Sequence, residues 1–333
     1  MSRDAFYSSQ RMASSLGSVV RLRARMLGGP RRAVAVLAVA LASLCAAAAW
    51  AAGSPPEGPT LETMALSTSD FSRGAVVFRQ GFASVSSPIV AKYLRYFAPG
   101  ARLGGQRLLT VASIVDLFDD AGTTSLTFDA VRAAFSSPAG HRAIAKEFIQ
   151  EITQSTRGKL KVKSVSFGRV VTLTAGQGSF RILMKIRTNV GPVEVGIVGI
   201  VVDRAIGLLA LDGFPHRHVP PATAVLGAQK FAQHFQLAFT IRNVTPPMVA
   251  GTPARGSTLT ADRGHWAGGP SSFTYQWNRC DAAGANCTAI PGAVGQTYVP
   301  GTADAGARLT VAVTATNSVS SIPISSAPTA PVV

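Results

Sequence analysis

The stretch FPHRHVPP sets His216 and His218 two positions apart, a spacing that puts both imidazoles on one side of an extended chain, and His234 follows in a helical pattern. Three imidazoles could hold zinc, but no carboxylate or cysteine stands at a supporting spacing. The pair therefore reads as a polar turn before a helix, and His234 as a half-exposed helical residue. DLFDDAGTTS gathers Asp116, Asp119 and Asp120. It lacks the regular acid spacing and closing glutamate of a calcium loop, and a turn leading to a helix cap at Thr124 or Ser125 accounts for it. Glu147 and Glu151 lie one helical turn apart beside Lys146, as on a solvated helix face. Gly-x-Ser-x-Gly and a glycine-rich phosphate loop are absent, and no histidine lies beside a serine with an acid nearby. No catalytic residue, metal or cofactor is assigned, and the expectation is a protein that binds and does not catalyse.

Two patterns are more specific. Lys159, Lys161 and Lys163 alternate, as do Arg181, Lys185 and Arg187. If the two runs are neighbouring strands, they set six cations on one sheet surface, suited to an anionic cell-wall polymer, a lipid headgroup or phosphate; a solvated outer face gives the same pattern. Nucleic acid is disfavoured because no aromatics interleave with the charges. The second pattern is Cys280 and Cys287 in WNRCDAAGANC. A second pair for zinc and a Cys-x-x-Cys redox motif are both absent, so in an exported chain the two read as a disulfide.

Export is itself a reading of the N-terminus. RRAVAVLAVALASLCAAAAWAAG, residues 31–53, joins Arg31 and Arg32 to an apolar run and a small-x-small end at Ala49-Trp50-Ala51, as a secretory signal does. The run is a marginal membrane span, so an uncleaved anchor is the alternative. Translation starting at Met26 would shorten the leader. Cys45 follows Leu44, which does not suit lipid attachment. The chain carries 32 Lys+Arg against 16 Asp+Glu, and seven of those cations precede residue 52 with a single acid, Asp4. The remainder still has an excess of about ten positive charges, which favours anionic partners in general without specifying a reaction.

The 333 residues suggest about two domains after the leader (1–52) and a linker (53–65): one over 66–243 and one over 244–333. In the first, 74–84 and 107–118 read as strands. Ser87-Pro88 reads as the start of a helix with Ile89, Val90, Tyr93, Leu94 and Phe97 on one face. Further helices surround Phe128, Val131 and Phe135, then Ile144, Phe148, Ile149 and Ile152, with SSPAG between them. Strands follow at 159–174, 179–189 and 192–211, the middle one alternating Phe180, Ile182, Met184 and Ile186 against Arg181, Lys185 and Arg187, as a sheet with one wet face requires. A last helix spans 221–239. Consecutive strands with grouped helices predict an α+β class, an antiparallel sheet with flanking helices. After the prolines of 244–253 the chain is all strand and turn, which predicts a second, all-β sandwich.

The phrases DFSRGAVVFRQGF, LLTVASIVDLFDDA and GIVGIVVDRAIGLLALDG resemble the secreted PsbP-like α+β proteins of actinobacteria, over roughly 66–240. That resemblance implies a curved antiparallel sheet and ligand binding or assembly at the cell surface. Residues 246–333 are similar to the Ig-like modules appended to actinobacterial surface proteins, through Gly251, Gly264, Trp266, Tyr275, Trp277, Cys280, Cys287, Ile290, Gly292, Tyr298, Asp304, Gly306, Leu309, Val311, Val313 and Asn317. The combined expectation is an exported, non-enzymatic surface protein: a ligand-binding domain, then an Ig-like spacer or attachment module that meets a surface or another surface protein. The alternatives are a cell-wall hydrolase with an unrecognised site and a purely structural surface protein.

Overall fold

A computed structural model describes residues 60–333 apart from 73, 215 and 216. The expected leader, most of the 53–65 linker and His216 lie outside the described residues. Two compact units are present, Leu61–Gln236 and Leu237–Val333. No helix among the described residues is long and apolar enough to cross a membrane.

The first unit opens with one helical turn, α1 (Leu61–Met64), inside the stretch read as linker; its Leu61 and Met64 are fully buried. Strands β1 (Val77–Ala83) and β2 (Ile89–Phe97) follow, then the two-residue ribbon β3 (Arg102–Leu103) and β4 (Gln106–Arg107), and then β5 (Thr110–Phe118). Helices α2 (Ala121–Ser136) and α3 (Pro138–Ser155) come next. Asp120 caps α2 by accepting from Thr123 N at 2.7 Å, and Ser137 caps α3 with Pro138 in its first turn, where the missing N–H costs nothing. A side chain at Gly140 would collide with the backbone of Ala134, so this corner between the helices needs glycine. Strands β6 (Val162–Phe167), β7 (Val171–Leu173), β8 (Gly178–Thr188), β9 (Gly191–Val202) and β10 (Ala205–Asp212) lead to α4 (Pro221–Phe239).

All the strands but β3 and β4 make one antiparallel sheet in the order β1-β2-β5-β10-β9-β8-β6, with β7 also on β8. Phe128 of α2 and Phe148 and Ile152 of α3 pack on one face, against Phe180, Met184, Ile186 and Val201. The other face carries α4, whose Phe231 and Phe235 sit so close over Gly207 that a Cβ there would lie 2.7 Å from a ring carbon. This double covering explains why β5 is buried at all nine positions and does not alternate.

Three expectations are corrected. The helix read over 87–97 is strand β2: Tyr93 and Phe97 stand four apart, a spacing that also shares one face of a strand, a register shift between Ile89 and Ala91 turns Ile89 to the other face, and β-branched and aromatic side chains favour the strand. The strand read over 192–211 is a hairpin, turned at Asp203 and Arg204, where Asp203 takes φ 53°. The overall class also differs. The described residues are 41% strand and 23% helix, spread over several sheets, and do not resolve into an α+β domain followed by a separate Ig-like sandwich.

The second unit holds three sheets. Strand β11 (Arg242–Thr245) pairs with β14 (His265–Ala267); β12 (Met248–Ala250), β13 (Leu259–Asp262) and β17 (Thr297–Tyr298) form a second sheet. The third has the order β16-β15-β18-β19, from β15 (Ser272–Cys280), β16 (Thr288–Ala289), β18 (Arg308–Thr316) and β19 (Ser321–Ser325). Glycines with positive φ at Gly251, Gly264 and Gly268 interrupt the chain among the first of these strands, which keeps them short. The core lies around Trp277, fully buried with Leu259, Leu309, Val311 and Val313. Its indole N–H donates to Gly295 O at 2.9 Å, so burying the ring strands no donor. Cys280 and Cys287 form a disulfide that closes the β15–β16 loop.

Two buried carboxyls generate predictions. Asp304 accepts from Arg279 Nε and Nη2 at 2.7 Å each, from Tyr298 Oη at 2.8 Å and from Gly301 N at 2.7 Å. Burial would raise its pKa, but these donors hold it below the ordinary carboxylate value. Asp304→Ala leaves a cation and a tyrosine hydroxyl without their acceptor and is expected to destabilise the second unit by about 2–4 kcal/mol, read from its urea midpoint; a midpoint unmoved would refute this role.

In the sheet, Asp212 is 2% exposed, accepts from the Thr110 hydroxyl and keeps Oδ1 buried without a partner. Burial pushes its pKa up to about 7, against a smaller downward pull from Thr110. A raised folded pKa means its contribution to stability is complete below the unfolded aspartate value near 4 and is lost as pH rises through about 7. Asp212→Asn should therefore gain stability relative to the natural protein steadily from pH 4 to pH 8 in thermal melts. A difference that stays flat would contradict the buried, unpaired carboxyl.

Candidate functional site

The six cations of the two alternating runs are only partly brought together. β6 does lie beside β8, with Ser164 opposite Arg187 and Ser166 opposite Lys185. The strand begins at Val162, however, and its register shifts between Val162 and Ser164, so Lys163 sits at a bulge. Lys159 and Lys161 precede the strand. They are held near the β8–β9 turn through Asn189, whose side chain donates to Lys159 O at 3.2 Å and accepts from Lys161 N at 2.9 Å. Arg181 lies opposite Val171 of β7, six residues and about 20 Å from Arg187 along β8. The effective cluster is thus Lys159, Lys161, Lys163, Lys185 and Arg187, with Arg181 apart.

The register sets Arg181, Lys185 and Arg187 on the face that α4 covers further along the sheet. The expected wet face is therefore a margin and not a whole surface. Lys159, Lys161, Lys163, Lys185 and Arg187 are exposed, and Arg181 is half-buried. Of these six cations only Lys185 has an acid within reach among the described residues, Glu194 at 3.3 Å.

Glu194 escaped the sequence reading. It is a single acid in the apolar strand GPVEVGIVG, and the signal for it is its place opposite Lys185 in the β8–β9 register. Only 8% exposed, it also accepts from Val219 N at 3.1 Å and contacts His218 Nδ1 at 2.9 Å. Burial would raise its pKa, but Val219 N–H, His218 and Lys185 hold it below the ordinary value. Its work is to fasten the chain after β10 to the sheet. It leaves the His218 side chain 84% exposed, with the ring anchored at Nδ1.

The remaining candidates separate. His234 lies about 20 Å along α4 from its first residue and contacts Thr63 and Asp70, so it does not join His218. Asp116 is buried within β5 against Lys92 at 3.2 Å, and burial raises its pKa despite the lysine. Asp120 is the cap of α2, and Asp119 is exposed, so the three aspartates do not converge. The cap is Asp120, four residues before the expected Thr124, and both Thr124 and Ser125 lie inside the helix. Glu147 and Glu151 are half-buried on α3, where burial raises both carboxyls. Among the described residues no three His, Cys, Asp or Glu side chains gather as metal ligands. A shallow groove lined by Asp129, Arg132, Ala133, Ser136, Val170 and Thr172 is open to solvent, and its one arginine is already paired with Asp129 at 2.9 Å.

The arrangement sets exposed cations along a sheet margin, where they can attract an extended anion. No family model, curated protein or solved structure matches the chain.

Proposed function

We propose that the chain is an exported, non-enzymatic surface protein whose first unit binds an anionic cell-wall polymer along the β6–β8 margin, with the second unit as a spacer or attachment module. The observation that carries this reading is the run of exposed cations without acidic partners among the described residues: Lys159, Lys161, Lys163 and Arg187. Exposed side chains of one sign along a sheet margin attract a flexible polyanion without needing a pocket. The disulfide supports the extracellular setting, since such bonds persist in oxidising compartments. Its seven-residue separation closes a short loop, worth roughly 2–3 kcal/mol in restricting the unfolded chain.

The rival reading, a wall-acting hydrolase, has one observation in its favour: Glu194 orients an exposed imidazole at His218. Soluble fragments released from purified wall by the natural protein, and lost with His218→Ala, would establish it.

For the binding reading, Lys161→Glu, Lys163→Glu and Arg187→Glu together should abolish most retention on purified cell wall at low salt. Retention of the natural protein should fall steeply between about 0.05 and 0.5 M NaCl, where screening shortens the reach of exposed charges. Equal retention of the triple variant would remove the anionic-polymer reading, and retention transferred to anionic vesicles would make a lipid headgroup the ligand.

A further inference from the structure

Residues 61–72 form a strap over the face of the sheet that α4 also covers. Leu61, Met64, Ala65 and Leu66 are fully buried, and the rings of Phe71 and Phe97 lie 4.6 Å apart. From β5, Ser113 Oγ accepts from Leu66 N at 3.1 Å. From β2, Arg95 donates to the carbonyls of Ala65 and Leu66 at 3.4 and 3.0 Å. A further attachment runs to α4. His234 Nδ1 lies 2.7 Å from Thr63 O, and Nε2 lies 3.2 and 3.0 Å from the two carboxylate oxygens of Asp70. Both ring nitrogens thus face acceptors. A neutral imidazole has one N–H and serves one of them; only the imidazolium serves both.

We infer that His234 is a proton-operated latch, which as a cation ties the strap to α4 at Thr63 and at Asp70 and on deprotonation releases the α1 turn while the sheet beneath stays intact. A neutral ring keeps its proton toward the Asp70 carboxylate. Its bare Nδ1 then opposes the Thr63 carbonyl lone pairs at a distance only a hydrogen bond permits, and the turn carrying Thr63 must move away.

The charged groups acting on the ring are Asp70 and Lys230, the latter 3.6 Å from Asp70. The Asp70 hydrogen bond outweighs burial and the lysine, so the folded His234 pKa is raised. Burial would raise Asp70 in turn, but His234 and the Ser67 N–H bring it down to about 2, so it stays ionised through the range where the histidine titrates. A raised folded pKa places the full strength of the latch below the ordinary histidine value near 6.5 and loses it as pH rises through the folded value. The strap is closed below the ordinary histidine value and loosens as pH rises through the raised folded one.

Hydrogen-exchange protection of the full chain tests this at pH 6 and pH 9, with rates corrected for intrinsic exchange. Peptides covering 61–72 should lose protection several-fold at pH 9 while peptides of β5 and β10 keep theirs. His234→Gln should show weak strap protection at both pH values, and Asp70→Asn should move the step to lower pH. Equal strap protection at both pH values, or a step that survives in His234→Gln, would overturn the latch. Ring nitrogen shifts of the natural protein give an independent reading: both nitrogens protonated at pH 6 support the latch, and a ring already neutral at pH 6 overturns it.

Discussion

Covering one antiparallel sheet on both faces constrains everything else in the first unit. Helices α2 and α3 take one side, and α4 with the strap takes the other, so the central strand β5 is buried along its whole length. Ionisable groups left inside must then be paired, hydrogen-bonded or neutral. Asp116 faces Lys92, Asp212 takes a hydroxyl and tends toward its neutral form, and Glu194 collects an N–H, an imidazole and an ammonium. Free positive charge is excluded from the middle of the sheet and collects where the covering ends, along β6 and β8.

The same constraint decides what was legible in the chain. The helix over 221–239 could be read to its ends, because Val225, Ala228, Phe231, Ala232 and Phe235 stripe one side and Pro221 begins it. The break at Ser137-Pro138 was equally local. Strand β8 stands at the margin, so its alternation survives; β2, β5 and β9 lie inside, so theirs does not. The helix reading of 87–97 failed for that reason: a doubly buried strand and an amphipathic helix both place apolar residues four apart. Where 192–211 turns depends on Asp203 taking a left-handed conformation, for which an aspartate in an apolar run is a weak sign.

The candidate site was legible as composition and not as geometry. Residue types and the β6–β8 neighbourhood followed from the two alternating runs. The bulge at Lys163, the displacement of Lys159 and Lys161 off the strand, and the isolation of Arg181 depend on register, which is set by partners distant in sequence. Glu194 and Asp70 were missed because a lone acid acquires meaning only from what the fold brings to it. The cysteine pair needed no register, since seven intervening bonds of chain already bring the two sulfurs within reach.

The central claim is that an anionic polymer lies along the β6–β8 margin. The most direct measurement is a nuclear magnetic resonance titration of the full chain with a soluble poly(glycerol phosphate), following backbone amide shifts residue by residue. The account predicts changes concentrated at 159–167 and 185–190 that disappear at high salt, with Arg181 and the second unit unaffected. Changes centred elsewhere, or none at all, would contradict it.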